Sequence, residues 1–99
     1  MITLDEMINE QKKDSEFARA YEREELINAI AKMVLRARKM AKLTQHELAI
    51  RAGTSQPVLA RLERGRDSRV PSMTLLLRLA DAAGMKLNLQ FVPSKSSKF

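Results

Sequence analysis

No cysteine occurs among the 99 residues and histidine occurs once, at His46. The first absence excludes a disulfide framework and a thiolate metal site, and the two together leave no metal cluster and no nucleophile with a partner base. Only three glycines are present and they do not gather into a phosphate-cradling loop. The carboxylates are scattered along polar helix faces, without the surroundings that tune acid–base chemistry. An enzyme is therefore not expected, and neither is a cofactor, a metal or a small-molecule substrate. No apolar run approaches membrane-spanning length, and no charged start followed by an apolar block marks a secretory signal. A cytoplasmic location with no membrane partner is the expectation. Internal repeats are lacking as well, and the one compositionally biased stretch is the tail 93–99, PSKSSKF, too polar to pack and expected to be disordered.

The composition itself, 44% hydrophobic and 30% charged, describes one small, soluble domain with a marginal core. Its charge is divided. Residues 1–25 hold eight acids against four bases, a balance of −4, whereas residues 26–99 hold fourteen bases against four acids, a balance of +10, which together give the net +6. The basic part suits a polyanion, because each Lys or Arg that neutralises a phosphate releases condensed counterions. A Lys/Arg-rich surface also serves solubility alone. Against that, Arg61, Arg64, Arg66 and Arg69 cluster within nine residues, where a docked helix would meet a backbone.

Residues 43–65, LTQHELAIRAGTSQPVLARLERG, read as two short amphipathic helices joined by a tight turn. Thr44 can accept an orphan N–H at the start of the first helix, and Glu47 three residues on completes a capping box. Leu48, Ala49 and Ala52 give that helix an apolar side. Gly53 stands where the chain must turn through a left-handed conformation. Ser55 can cap the second helix, which starts at about Gln56, and Pro57 in its first turn is harmless because those N–H groups have no intrahelical partner. Leu59 and Leu62 are spaced to face a core, with Gln56, Pro57, Ala60, Arg61 and Arg64 on the outward side, and Gly65 ends the helix.

Elsewhere, Thr3 to Glu6 forms a capping box that opens a short helix to about Lys13, with Leu4, Met7 and Ile8 on its apolar side. Asp14 and Ser15 can cap a new helix from Glu16 to about Ala41. Its apolar set is Phe17, Ala20, Tyr21, Leu26, Ile30, Met33, Val34, Ala37 and Ala41, and a bend near Glu24 is allowed. Ser72 caps a last helix whose Met73, Leu76, Leu79, Ala80 and Ala83 point inward, closed by Gly84. The six methionines read as core filler. In 86–92, KLNLQFV, the period changes: Leu87, Leu89 and Phe91 alternate with polar residues, as in a half-buried strand. No second strand candidate exists in the chain, so the natural partner is the same strand of another copy, giving a two-fold homodimer. The other reading of this segment is an extended arm on its own domain.

The pattern Thr44-Gln45, Leu48-Ala49, Gly53, Gln56 and Glu63-x-Gly65 closely resembles the helix-turn-helix of the phage-repressor (Cro/CI-type, XRE) family over about Leu26 to Met85. The resemblance implies an all-α, lambda-repressor-like fold, here with an N-terminal helical extension (1–25), a domain spanning 26–85, and one C-terminal β-strand pairing across a dimer. Within that family, SQPVLARLERG, the run PSMTLLLRLADAAGMKLNLQFVP and the preceding DSEFARAYE are similar to antitoxins of the HigA and HipB kind. These are implied to repress their own operon and to bind a HigB/RelE-like ribonuclease toxin, typically basic. An acidic amphipathic leader is a chemically sensible ligand for such a toxin, with Phe17, Tyr21, Glu22, Glu24 and Glu25 as its candidate contacts. The same leader also reads as an ordinary solvated helical cap. A free-standing repressor without a toxin, and an interaction module that has lost DNA affinity, are the other readings.

Carried over position by position, the resemblance implies that Gln45 bonds a phosphate and braces the second helix, and that Ser55 and Gln56 reach phosphate or base edges of operator DNA. A glutamine can contact adenine, and Arg61 can grip guanine O6 and N7 bidentately, each worth roughly 1–3 kcal/mol of discrimination. Pro57 departs from the family's commoner small or polar residue and leaves at most an apolar touch on a thymine methyl. Lys42, Thr44, Gln45, Arg64, Arg66 and Arg69 are assigned to phosphates, although any of these basic residues could simply be solvated. Arg38 and Glu63 occupy positions that form an ion pair in related repressors. His46 beside Gln45 reads as solvated.

Overall fold

Thr3 accepts the Glu6 N–H at 3.1 Å and donates its own N–H to the Glu6 carboxylate at 3.1 Å, and from this capping box a single helix, α1 (Leu4–Met40), runs for 37 residues. The computed structural model describes residues 3–67 and 69–94. Asp14 and Ser15 do not restart the helix, and Glu24 does not break it. A restart would leave four N–H and four C=O groups without intrahelical partners, whereas a mid-helix Asp or Ser costs only tenths of a kcal/mol in propensity, of order ~0.5 kcal/mol. With no Gly or Pro in the stretch, continuity wins.

Three short helices follow: α2 (Gln45–Ala52), α3 (Gln56–Arg64) and α4 (Met73–Ala82). Each opens as its sequence predicts, on Thr44, Ser55 and Ser72, whose hydroxyls accept the backbone N–H of Glu47, Val58 and Leu75. Both α2 and α3 close on a left-handed glycine, Gly53 at φ 70° and Gly65 at φ 67°. Between α1 and α2 the same left-handed position falls to Lys42, at φ 58°, so a residue with a Cβ makes that turn.

The core gathers Ile30 and Val34 from α1, Leu43, then Leu48, Ala49 and Ala52 from α2, Leu59 and Leu62 from α3, Leu76 and Leu79 from α4, and Ala83. Ile27 is the first buried residue of α1. Before it, every described residue is exposed or half-buried, including Leu4, Met7, Ile8, Phe17 and Tyr21. At about 1.5 Å per residue α1 is roughly 55 Å long, which accounts for the 61 Å long dimension of the molecule against 26 and 19 Å for the others. Its C-terminal half is a wall of the domain; its N-terminal half leaves it.

Two further expectations need correction. Among the described residues the methionines do not fill the core: Met7, Met33, Met40 and Met73 are exposed, and Met85 packs partly against it. Met73 opens α4 at its first turn, before the helix reaches the core face. Ala60 is buried, so the outward face of α3 is narrower than its spacing implies. Among the described residues of the single chain, 86–94 runs as an extended arm with no strand paired to it. A lone strand has no ladder partner for its N–H and C=O groups. Leu87 packs partly on the core, Leu89 and Phe91 face outward, and Val92, Pro93 and Ser94 lie against Glu22, Glu25, Leu26 and Ala29 of α1. The Ser94 hydroxyl lies 2.7 and 2.8 Å from the two oxygens of the Glu22 carboxylate. Of the tail 93–99 expected to be disordered, residues 95–99 lie outside the described residues.

Candidate nucleic-acid interface

The exposed surface of α3 is set from behind by a chain of polar contacts that begins in the domain wall. Arg38 donates from Nε to Glu63 Oε2 at 2.8 Å and from Nη2 to Oε1 at 2.9 Å, a two-pronged ion pair between α1 and the last turn of α3. Its third arm, Nη1, donates to the Leu43 carbonyl at 3.0 Å. The side chains are 15% and 5% exposed, so neither charge is well hydrated and each depends on the other. The hydrogen bonds to Glu63 outweigh the cost of burial and raise the Arg38 guanidinium's affinity for its proton still further.

Glu63 is also an acceptor for α2. Gln45 Nε2 donates to Glu63 Oε1 at 3.1 Å, which leaves the Gln45 amide oxygen facing away, and there it accepts Gln56 Nε2 at 2.8 Å. An ionised carboxylate has no proton to give, so it fixes the polarity of both amides behind it. At the exposed end Gln56 keeps its oxygen and one N–H free of these contacts. That donor–acceptor pair matches the N7 acceptor and N6 donor of an adenine edge.

Thr44 and Ser55 use their hydroxyl oxygens as cap acceptors, at 3.1 Å to the Glu47 N–H and 3.3 Å to the Val58 N–H. Each keeps its O–H as a donor. Glu47 returns the contact, accepting the Thr44 N–H at 3.0 Å. This bond, with the Thr44 hydroxyl beside it, holds the Glu47 carboxyl below the ordinary carboxylate range.

Gln56, Pro57, Arg61 and Arg64 are exposed along α3, Ser55 stands exposed at its cap, and Gln45 is half-buried beside it. Lys42, Thr44, Arg66 and Arg69 are exposed around them, on the turn before α2 and in the loop after Gly65. Gly65 brings that loop hard against α1: a Cβ on it would stand 2.7 Å from Asn28 Oδ1 and 3.3 Å from the Ala31 Cβ. A cleft of about 460 Å³ opens beside this contact, with Arg23 and Glu24 of α1 on one wall and Arg66 and Asp67 on the other.

Two features escaped the sequence. One is the Gln45–Glu63 hydrogen bond that joins the ion pair to the amides. The other is Asp67, whose Oδ1 lies 3.4 Å from Arg61 Nε. A carboxylate six residues past an outward arginine, just beyond a helix-ending glycine, was the available signal.

The five residues of the leader assigned as partner contacts spread over a broad arc of α1. Phe17, Tyr21 and Glu24 follow one another at helical spacing, and Glu25 stands one turn beyond Tyr21, while Glu22 and Glu25 also border the groove under Val92, Pro93 and Ser94. Among the described residues no group of three or more His, Cys, Asp or Glu is placed to hold a metal ion, and no helix is long and apolar enough to cross a membrane.

A family model described as helix-turn-helix matches residues 34–89, from the second half of α1 through the start of the C-terminal arm. No curated protein and no solved structure was found to match the chain. The family match spans more than half of the 99 residues, and within it lie the capped helix pair, its left-handed glycine and the exposed polar face of α3; the chain belongs to the XRE-type helix-turn-helix family of DNA-binding transcriptional regulators.

Proposed function

We propose that this regulator is the antitoxin of a type II toxin–antitoxin pair, which silences its own operon by reading operator DNA and neutralises a RelE/HigB-like ribonuclease toxin. The observation that carries the DNA part is the Arg38–Glu63–Gln45–Gln56 relay, which delivers a pre-oriented amide to the exposed start of α3. In this reading α3 lies in the major groove, Ser55, Gln56, Pro57 and Arg61 face base edges, and Lys42, Thr44, Gln45, Arg64, Arg66 and Arg69 meet phosphates. Two copies joined through 86–92 present two such helices to half-sites about one helical turn apart, roughly 34 Å.

The antitoxin part is supported by the N-terminal half of α1, which lies outside the core. Residues 4–26 add nothing to the core, carry the chain's acidic excess, and leave Phe17 and Tyr21 in solvent at 74% and 53% exposure. An acidic helix with apolar anchors suits a basic ribonuclease groove, where carboxylates take the place of RNA phosphates.

The test has two arms. Fluorescence anisotropy on a duplex from the chain's own promoter should show salt-dependent binding. Arg66→Ala should weaken binding to all DNA alike and reduce the salt slope by about one unit. Co-expression with the small protein encoded by the adjacent reading frame should restore growth. Removal of residues 1–25 should abolish that rescue and spare promoter binding. A truncated chain that still rescues would move the toxin interface elsewhere, and a chain indifferent to its own promoter would end the autoregulation reading.

A further inference from the structure

We propose that Asp67 is a positioning residue for Arg61: it holds the guanidinium by its Nε side and so turns the Nη1/Nη2 end toward a guanine. This rests on the reading of α3 as the base-reading helix. The starting observation is an acid in the wrong company. Only four carboxylates follow residue 25. Glu47 closes the α2 capping box, Glu63 is the buried partner of Arg38, and Asp81 lies on α4. Asp67 alone sits in the basic loop after α3, beside Arg66 and near Arg61, on a surface that has to approach a polyanion. A carboxylate there repels phosphate, and its place requires another reason.

The geometry supplies one. Asp67 Oδ1 lies 3.4 Å from Arg61 Nε, and the two side chains are 31% and 59% exposed. The carboxylate is therefore backed by protein while the arginine is mostly in water. Two residues before Asp67, Gly65 in its left-handed turn seats the start of the loop against Asn28 and Ala31 of α1. Asp67 is the less exposed member of the pair. A guanidinium has five N–H donors in a planar fork, and a carboxylate beside Nε leaves both terminal nitrogens available to another acceptor. Guanine offers two acceptors, O6 and N7, side by side in the major groove, and this fork end matches them. Docking an unrestrained arginine forfeits the freedom of several side-chain torsions; one already held by a neighbouring carboxylate forfeits less. The same carboxylate penalises an adjacent phosphate, so it raises preference for a base edge over backbone.

The experiment selects from a pool of randomised duplexes with the full-length chain and with Arg61→Ala, Asp67→Ala and the double variant, followed by anisotropy on the enriched duplex and on copies with single base pairs exchanged. Melting curves check that each variant is folded. Wild type should enrich a site containing a guanine whose exchange costs about tenfold in affinity or more. Asp67→Ala should lose most of that preference at the same column and at no other, while its affinity for scrambled duplex rises, since a repelling charge has gone. The double variant should be no less selective there than Arg61→Ala alone. If Asp67→Ala keeps the guanine preference and simply binds every duplex more tightly, Asp67 only tunes charge and the proposal falls. Loss of preference spread evenly over all columns overturns it too, by pointing to a shifted helix. An Arg61→Ala chain that keeps every column would instead defeat the base-reading assignment itself.

Discussion

Taking away either member of the Arg38–Glu63 pair strands a charge that is nearly out of water, with side-chain exposures of 15% and 5%. Glu63→Ala should therefore destabilise the fold by about 3–5 kcal/mol, read as a lower urea midpoint at unchanged slope. Replacing both residues by leucine should cost less than either single change, because no orphan charge is left. If the two single losses simply add in the double variant, the pair is not coupled. Glu47 acts at the same scale but through pH. Its carboxyl is held below the ordinary range by the Thr44 N–H, so its folded value lies beneath its unfolded one. Such a group contributes its stability above the unfolded value and loses it as pH falls through the folded one. Glu47→Gln should lower the melting temperature at neutral pH, and the difference from wild type should fade in acid. A gap that persists unchanged at low pH would assign the effect to shape rather than charge.

At the scale of elements, the two turns flanking α3 look alike in sequence and differ in cost. Gly53 and Gly65 both adopt left-handed φ near 70°, which costs an alanine about 1 kcal/mol. The nearest atom to a Cβ on Gly53 is Arg78 Nη1 at 3.9 Å, an ordinary contact, whereas at Gly65 it is Asn28 Oδ1 at 2.7 Å. Gly65→Ala should consequently lower stability more than Gly53→Ala, by chemical denaturation of the two variants. Equal losses would mean that Asn28 swings away freely. The caps and both glycines were legible in the sequence because they are set by residues three or four positions apart, and the same locality made the boundaries of α2 and α3 readable. What failed was tertiary. Asp14 and Ser15 are good caps, yet nothing breaks the helix they interrupt, so α1 runs on; and Ala60 is small enough to be buried at an angular position that does not announce it. Asp67 beside Arg61 depends on how Gly65 folds the loop back, which no periodicity records.

For the whole molecule, the division of charge and the division of packing fall close to the same place, near residues 25–27, where the acidic excess ends and the buried core begins. Amide exchange should accordingly be fast along residues 4–22 and slow along 27–40 of the one helix, since only the second stretch is covered by other elements. Loss of residues 1–25 removes a charge of −4, so scrambled duplex should bind more tightly while the salt slope, which counts phosphates neutralised, stays nearly the same. The opposite end of the chain decides whether one reading surface acts or two. Leu87 is partly seated on the core, whereas Leu89 faces outward and Phe91 is fully exposed, at 106% of its reference area. A second copy's arm, aligned antiparallel, would satisfy the open backbone groups and cover both exposed side chains together. Phe91→Asp puts a charge into that contact and touches nothing in the core, so the variant should melt with wild type, sediment as a monomer, and lose affinity for a two-half-site duplex far more than for a single half-site. Wild type that sediments as a monomer at concentrations where it already occupies both half-sites would show that the two reading surfaces are not joined through this arm.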